Sequence, residues 1–155
     1  MNKALAVFFA AALSPAGARA MGRKPPEFAA QTLAPVARWQ GAFCSVVKPE
    51  EDIVLNADQW AALWKKIGAP APSVNLSTNF AAAVFLGTRP TGGYGVVFLD
   101  ASVVRGTLII PYREKKPAGM VFEALTQPYA VQLYPKTTLP VRLENAAQRG
   151  REKNP

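Results

Sequence analysis

From Phe80 to Glu144 the chain is a succession of apolar runs, at 80–86, 94–104, 106–112, 129–134 and 140–144. The segments between them are rich in glycine, proline and charge. Strands that pair in parallel need a crossover of about a dozen residues or more, whereas antiparallel strands can be joined by a tight turn. Most of these connections are short, so antiparallel pairing is expected. Val103-Val104-Arg105-Gly106-Thr107-Leu108 reads as a hairpin turning at or near Arg105-Gly106. Pro111 cannot donate to a ladder, which places it at a disturbance or an edge. Residues 56–68 carry a different period. Trp60, Leu63, Trp64 and Ile67 recur at helical spacing, behind Asn56 as N-cap and Gln59 three residues later. Asp58 suits the first turn, Lys65 and Lys66 the last, and Gly68 the residue beyond it. The fold class is therefore α+β, a mainly antiparallel β-sheet packed against one amphipathic α-helix.

Before the helix, Gly41–Val47 is a strand candidate ended by Lys48-Pro49-Glu50-Glu51, and Asp52–Leu55 is a second, short one. Lys3, the apolar run Ala4–Leu13 and Ala18-Arg19-Ala20 form the three parts of an export signal, with cleavage expected after Ala20. That run is too short to span a bilayer core of about 30 Å, so no stable membrane anchor is expected after cleavage. The protein is thus expected to be exported, to a periplasm or as a secreted product. The chain divides into a signal peptide at 1–20, a flexible proline-containing leader at 21–37, a single domain at 38–144 and a disordered polar tail at 145–155. Within that tail, Ala146–Gln148 is the one place for a short frayed helix.

The formal net charge of +8 falls by two when Lys3 and Arg19 leave with the signal. The remaining excess lies partly at the chain ends and reads as solubilising surface charge; export argues against nucleic acid as a partner. Cys44 is the sole cysteine, so no intrachain disulfide can form and the core must carry the fold. In an oxidising compartment an exposed thiol is a liability, so Cys44 is expected to pack as a small hydrophobe.

The chain contains no histidine. The commonest general base, the usual serine triad and most zinc sites are therefore missing. No metal site and no cofactor are expected. The glycine-rich stretch lacks a P-loop ending and is followed by a strand rather than the helix of a dinucleotide fold. Glu114 and Glu123 flank one segment, but no spacing brings them together as an acid/base pair. The chain is accordingly expected not to be an enzyme, which leaves binding.

The loop Gly87-Thr88-Arg89-Pro90-Thr91-Gly92-Gly93-Tyr94 has the strictest backbone demands in the sequence. Arg89, Pro90, Thr91, Gly92, Gly93 and Tyr94 are its candidate binding residues. Arg89 offers a planar fork of donors suited to a carboxylate or to backbone carbonyls, so it serves equally as a partner contact or as a clamp on the loop's own ends. Two further segments stand beside it. One is the charged turn Tyr112–Gly119 leading to Met120-Val121-Phe122, and the other is Leu125–Tyr129, which adds Pro128 and Tyr129 as candidates.

Phe85–Tyr94, Tyr112-Arg-Glu-x-x-Pro-x-Gly119 and Leu125-Thr-x-Pro-Tyr129 together resemble the PrcB C-terminal domain family, named after a protease complex subunit. Ala57–Trp64 and Leu139–Arg142 fit the same order, so the resemblance spans about 38–144. It implies an exported, non-catalytic accessory domain whose partner is a protein, with a protease as the implied class. The loop is also similar to the Asn-Pro-Thr-Thr-Gly loop of chagasin-like inhibitors of cysteine proteases, although this chain has Arg89-Pro90-Thr91-Gly92-Gly93 there. Inhibition of a protease through loop 87–94 is the alternative function.

Overall fold

The computed structural model describes residues 32–149. The expected signal peptide, its cleavage site and the end of the tail lie outside the described residues. Within them run β1 (Ala37–Gly41), β2 (Glu50–Val54), α1 (Ala57–Ile67), β3 (Asn79–Phe85), β4 (Gly95–Phe98), β5 (Ser102–Val104), β6 (Thr107–Lys115), β7 (Tyr129–Pro135), β8 (Val141–Asn145) and a short α2 (Ala146–Arg149).

The strands form two sheets rather than the single one expected. The first has the order β1-β7-β3-β2, antiparallel throughout. In the second, β4 and β5 pair antiparallel with successive stretches of β6, and β8 pairs with β6 in parallel. That parallel pair obeys the crossover rule, because β6 is joined to β8 by the long connection 116–140, which passes through β7 of the first sheet. The fold therefore has three layers, with α1 on one side of the first sheet and the second sheet on the other.

Side-chain alternation explains the middle layer. On β3, Phe80, Ala82 and Val84 join Val96, Leu108, Ile110 and Leu143 of the second sheet in one core. Ala81, Ala83 and Phe85 face the other way, onto Trp60, Leu63, Trp64 and Ile67 of α1. A strand buried on both faces has no polar alternation, which is why 80–86 reads as unbroken apolar sequence. The alanines leave room for the indoles. Trp39, Trp60 and Trp64 meet edge-to-face with centroids 5.4–5.8 Å apart. Among the described residues the buried Trp64 Nε1 finds no hydrogen-bond acceptor; two of its neighbours are the rings of Trp39 and Trp60.

Local chemistry fixes the helix ends. Asn56 Oδ1 accepts from Gln59 N at 2.9 Å, and Gln59 Oε1 reaches back to Leu55 N at 2.7 Å. At the other end Gly68 is left-handed, and Gly68 N and Ala69 N both donate to the last-turn carbonyl of Trp64. The hairpin turn has Arg105 and Gly106 both at positive φ, the requirement of a type I′ turn. Pro111 lies within β6, not at an end. Its carbonyl accepts from Leu99 N at 2.8 Å, so its missing donor points to the same side, at the break between β4 and β5. The opposite side of β6 keeps its ladder with β8.

Three expectations change. Gly41–Val47 is not a strand: β1 ends at Gly41, where a Cβ would lie 2.6 Å from the Tyr129 ring, and the chain leaves the sheet. Ser45 N and Oγ then satisfy the Lys66 carbonyl near the end of α1, at 2.9 and 2.7 Å. The last leader residues are paired rather than flexible, since Leu33 bridges Ala101 and Ala37 opens β1 opposite Leu133. The tail is ordered as far as described, with Asn145 closing β8 and α2 following it.

Buried phenols give the fold an alkaline limit. Tyr134 is almost fully buried, its hydroxyl donates to Gln132 Oε1 at 2.5 Å, and burial pushes its pKa up to about 12. Tyr112 donates to Glu51, and burial followed by that carboxylate pushes it up further. Both phenols stay protonated in the fold at a pH where an unfolded tyrosine, with pKa about 10, releases its proton. Their contribution is complete below pH of about 10 and is lost as the pH rises towards 12, because the unfolded state then binds fewer protons. Urea unfolding across pH 8–12 should show a midpoint that is flat at first and falls above about pH 10, with Tyr134→Phe flattening the fall.

Candidate functional site

Three connections meet at one end of the first sheet: 42–49 after β1, 86–94 after β3 and 116–128 before β7. Backbone hydrogen bonds tie them together. Leu86 N donates to Pro128 O at 2.9 Å, Thr88 N to Val47 O at 3.0 Å and Gln127 N to Ala42 O at 2.8 Å. Arg89 and Thr126 exchange both N–H···O bonds, at 2.7 and 3.0 Å, like one rung of an antiparallel ladder. The buried Thr126 also donates its hydroxyl to Thr91 O at 2.9 Å. Cys44 sits at this junction, half-buried, with Sγ donating to Gln127 O at 3.3 Å; burial raises its thiol pKa.

Arg89 is turned inward. Nη2 and Nε donate to the two carboxylate oxygens of Glu114 at 2.8 and 3.3 Å, and Nη1 donates to Leu86 O and Thr88 O at 2.7 and 3.1 Å. Both charges are largely shielded, with side chains 22 % and 27 % exposed. The guanidinium also lies 6.0 Å from the Tyr94 ring centroid. A fork–fork Arg–carboxylate pair is both strong and geometrically specific. It locks the start of the loop onto β6 and leaves little of the arginine for a partner.

The remaining candidates fall into two groups. Gly92 is buried, donates to Phe122 O at 3.1 Å and lies so close to the Phe122 ring that a Cβ would stand 2.4 Å from it. Pro128 is fully buried, and Tyr94 and Tyr129 are half-buried, with Tyr129 tilted against Phe85 at 6.3 Å. Thr91 is half-buried as well, whereas Pro90 and Gly93 are exposed. The structure thus brings the candidates into one cluster, mostly as supports. What they support was not among them: Met120, Phe122 and Leu125 stand exposed on the connection that packs over the glycine loop. Phe43 and Val47 are exposed on the adjoining connection. Lys48, Lys115 and Lys116, from the same end, are exposed too.

The sequence carried partial signals for this. Met120-Val121-Phe122 is an apolar triplet between turn-forming segments, which hides nothing about composition but says nothing about exposure. Glu114 offered a carboxylate, yet nothing in the spacing tied it to Arg89, since 25 residues and two strands separate them. Among the described residues no cluster of His, Cys, Asp and Glu could hold a metal ion. No helix among them is long and apolar enough to cross a membrane.

The PrcB C-terminal family model matches residues 81–132. That span runs from β3 into β7 and contains the whole of the Arg89–Glu114 clamp and the apolar connection. The helix segment 57–64 and Leu139–Arg142 lie outside it. No curated protein and no solved structure matches the chain.

Proposed function

We propose that this chain, built around a PrcB C-terminal segment, is an exported, non-catalytic accessory domain that binds a protein partner, and that the partner belongs to a protease complex. The observation that carries the reading is the exposure of Met120, Phe122 and Leu125, at 104 %, 58 % and 64 %, on a connection pinned by internal hydrogen bonds. Aromatic residues and methionine are enriched at protein interfaces, and a surface held rigid loses little conformational entropy on binding. The glycine loop is the scaffold in this account and the 120–125 connection is the contact. Association with a protease complex is the family's suggestion, and export rests on the tripartite signal in residues 1–20.

Inhibition through loop 87–94 finds less support. Its arginine is spent on Glu114 and two carbonyls, and Gly92 lies under Phe122. A loop so covered is ill-suited to insertion into a protease cleft.

Site-specific photocrosslinking in the native host tests the proposal. A crosslinker replacing Phe122 or Leu125 should trap a discrete protein partner. The same group at Val104, an exposed apolar residue at the end of β5, opposite Thr107 at the other end of β6 from the clamp, should not. Equal trapping at both ends would count against the assignment.

A further inference from the structure

At the end of the first sheet opposite the Arg89 clamp, the residues after β2, the start of α1 and the loop 68–78 border a groove of about 800 Å³. A second hollow of about 430 Å³ continues it towards β8, and the two share Leu55 and Lys136. The loop is held in place by its own bonds. Trp60 Nε1 donates to Pro72 O at 2.9 Å, Asn79 Nδ2 to Asn75 O at 2.8 Å and Lys136 N to Thr78 O at 2.8 Å. Leu55, Trp60, Val74 and Leu76 give the groove an apolar wall.

The polar groups beside that wall are set to donate. Lys136 is the one charged residue among those lining the groove and the hollow, and among the described residues no carboxylate pairs with it. Asn56 Oδ1 is taken by Gln59 N and Asn75 Oδ1 by Ser77 N, at 2.9 and 3.0 Å. Each of these amides keeps its Nδ2 donor without an acceptor among the described residues. One cation and two fixed amide donors, set beside an apolar wall with no acid on it, suit an anion carried on an apolar chain.

We propose that the groove binds the C-terminal end of an extended peptide whose last residues are apolar. The terminal carboxylate meets Lys136, and the apolar side chains rest on Leu55, Trp60, Val74 and Leu76. The asparagine amides donate to peptide carbonyls. The groove is open along one side, which suits a peptide whose outer face stays hydrated; a hydrocarbon tail would leave much of its surface in water. All of these residues lie outside the span 81–132, so the site is separate from the family segment and from the proposed contact surface.

Fluorescence anisotropy of fluorescein-labelled Ser-Leu-Val-Leu, as the free acid and as the C-terminal amide, tests this. The purified chain keeps its terminal residues, so any of them that covers the groove competes. The free acid should bind about fivefold more tightly than the amide, the scale of one exposed charge pair. Lys136→Met keeps the stem and removes the charge; it should abolish that preference without weakening the amide. Leu55→Ser should weaken acid and amide alike, by about fivefold. Dodecanoate should compete more weakly than unlabelled free-acid peptide. Circular dichroism confirms that both variants are folded. No binding of the free acid at chain concentrations up to about 1 mM, equal binding of acid and amide, a preference that survives Lys136→Met, or stronger competition by dodecanoate would overturn the proposal.

Discussion

Replacing Gly87 with alanine is expected to lower stability by about 3 kcal/mol, the sum of left-handed strain and forced overpacking. Gly87 has φ of +72°, where a Cβ meets its own backbone. A Cβ there would also stand 2.8 Å from Val47 O and Lys48 C. Those neighbours are main chain and cannot rotate aside. The Thr88–Val47 hydrogen bond lies directly beside the clash, so relief means parting loops 42–49 and 86–94. For a domain of this size the loss corresponds to a fall of roughly 12 °C in Tm, at about 4 °C per kcal/mol. Scanning calorimetry checks it. Gly68→Ala is the internal comparison: Gly68 is also left-handed, but no atom lies within 4 Å of its Cβ position. It should therefore lose only the strain, about 1–2 kcal/mol.

Replacing Arg89 with alanine is expected to cost about 2–3 kcal/mol, the scale of charge-assisted hydrogen bonds lost at a shielded site. The change strands Glu114, which is 27 % exposed and keeps part of its hydration, so the full penalty of a buried orphan charge does not apply. Arg89→Lys should recover little of this, because a lysine cannot grip both carboxylate oxygens and two carbonyls at once. A double-mutant cycle with Glu114→Gln isolates the pair, with a coupling of about 1–2 kcal/mol expected. Partner binding should fall together with stability in Arg89→Ala, since the clamp orders the surface that Met120, Phe122 and Leu125 stand on.

Much of this architecture is legible in the sequence where the signal is local. The helix announces itself through Asn56, Gln59, the tryptophan spacing and Gly68, and the hairpin through Arg105-Gly106. What could not be read depends on distant pairings. One sheet and two sheets give similar strand patterns, and only the unbroken apolar run on β3 hints that both faces of a strand are covered. The strand expected at Gly41–Val47 has strand-like composition. Its Phe43 and Val47 are nonetheless exposed, because the chain is recruited to the end of α1 through Ser45. Arg89 and the three glycines mark a constrained loop correctly. That the arginine's partner is Glu114, and that Met120, Phe122 and Leu125 stand exposed, follows from tertiary contacts that no local pattern encodes.

In the proposed function the glycine loop is a scaffold and the apolar connection above it is the contact surface. The most direct test of this is the affinity of the crosslinked partner, once isolated, for the combined variant Met120→Ser/Phe122→Ser/Leu125→Ser. These side chains are exposed, so Tm should shift by no more than about 2 °C, while partner affinity should fall by about a hundredfold, on the scale of a small hot-spot cluster. Unchanged affinity in a folded variant would contradict the account.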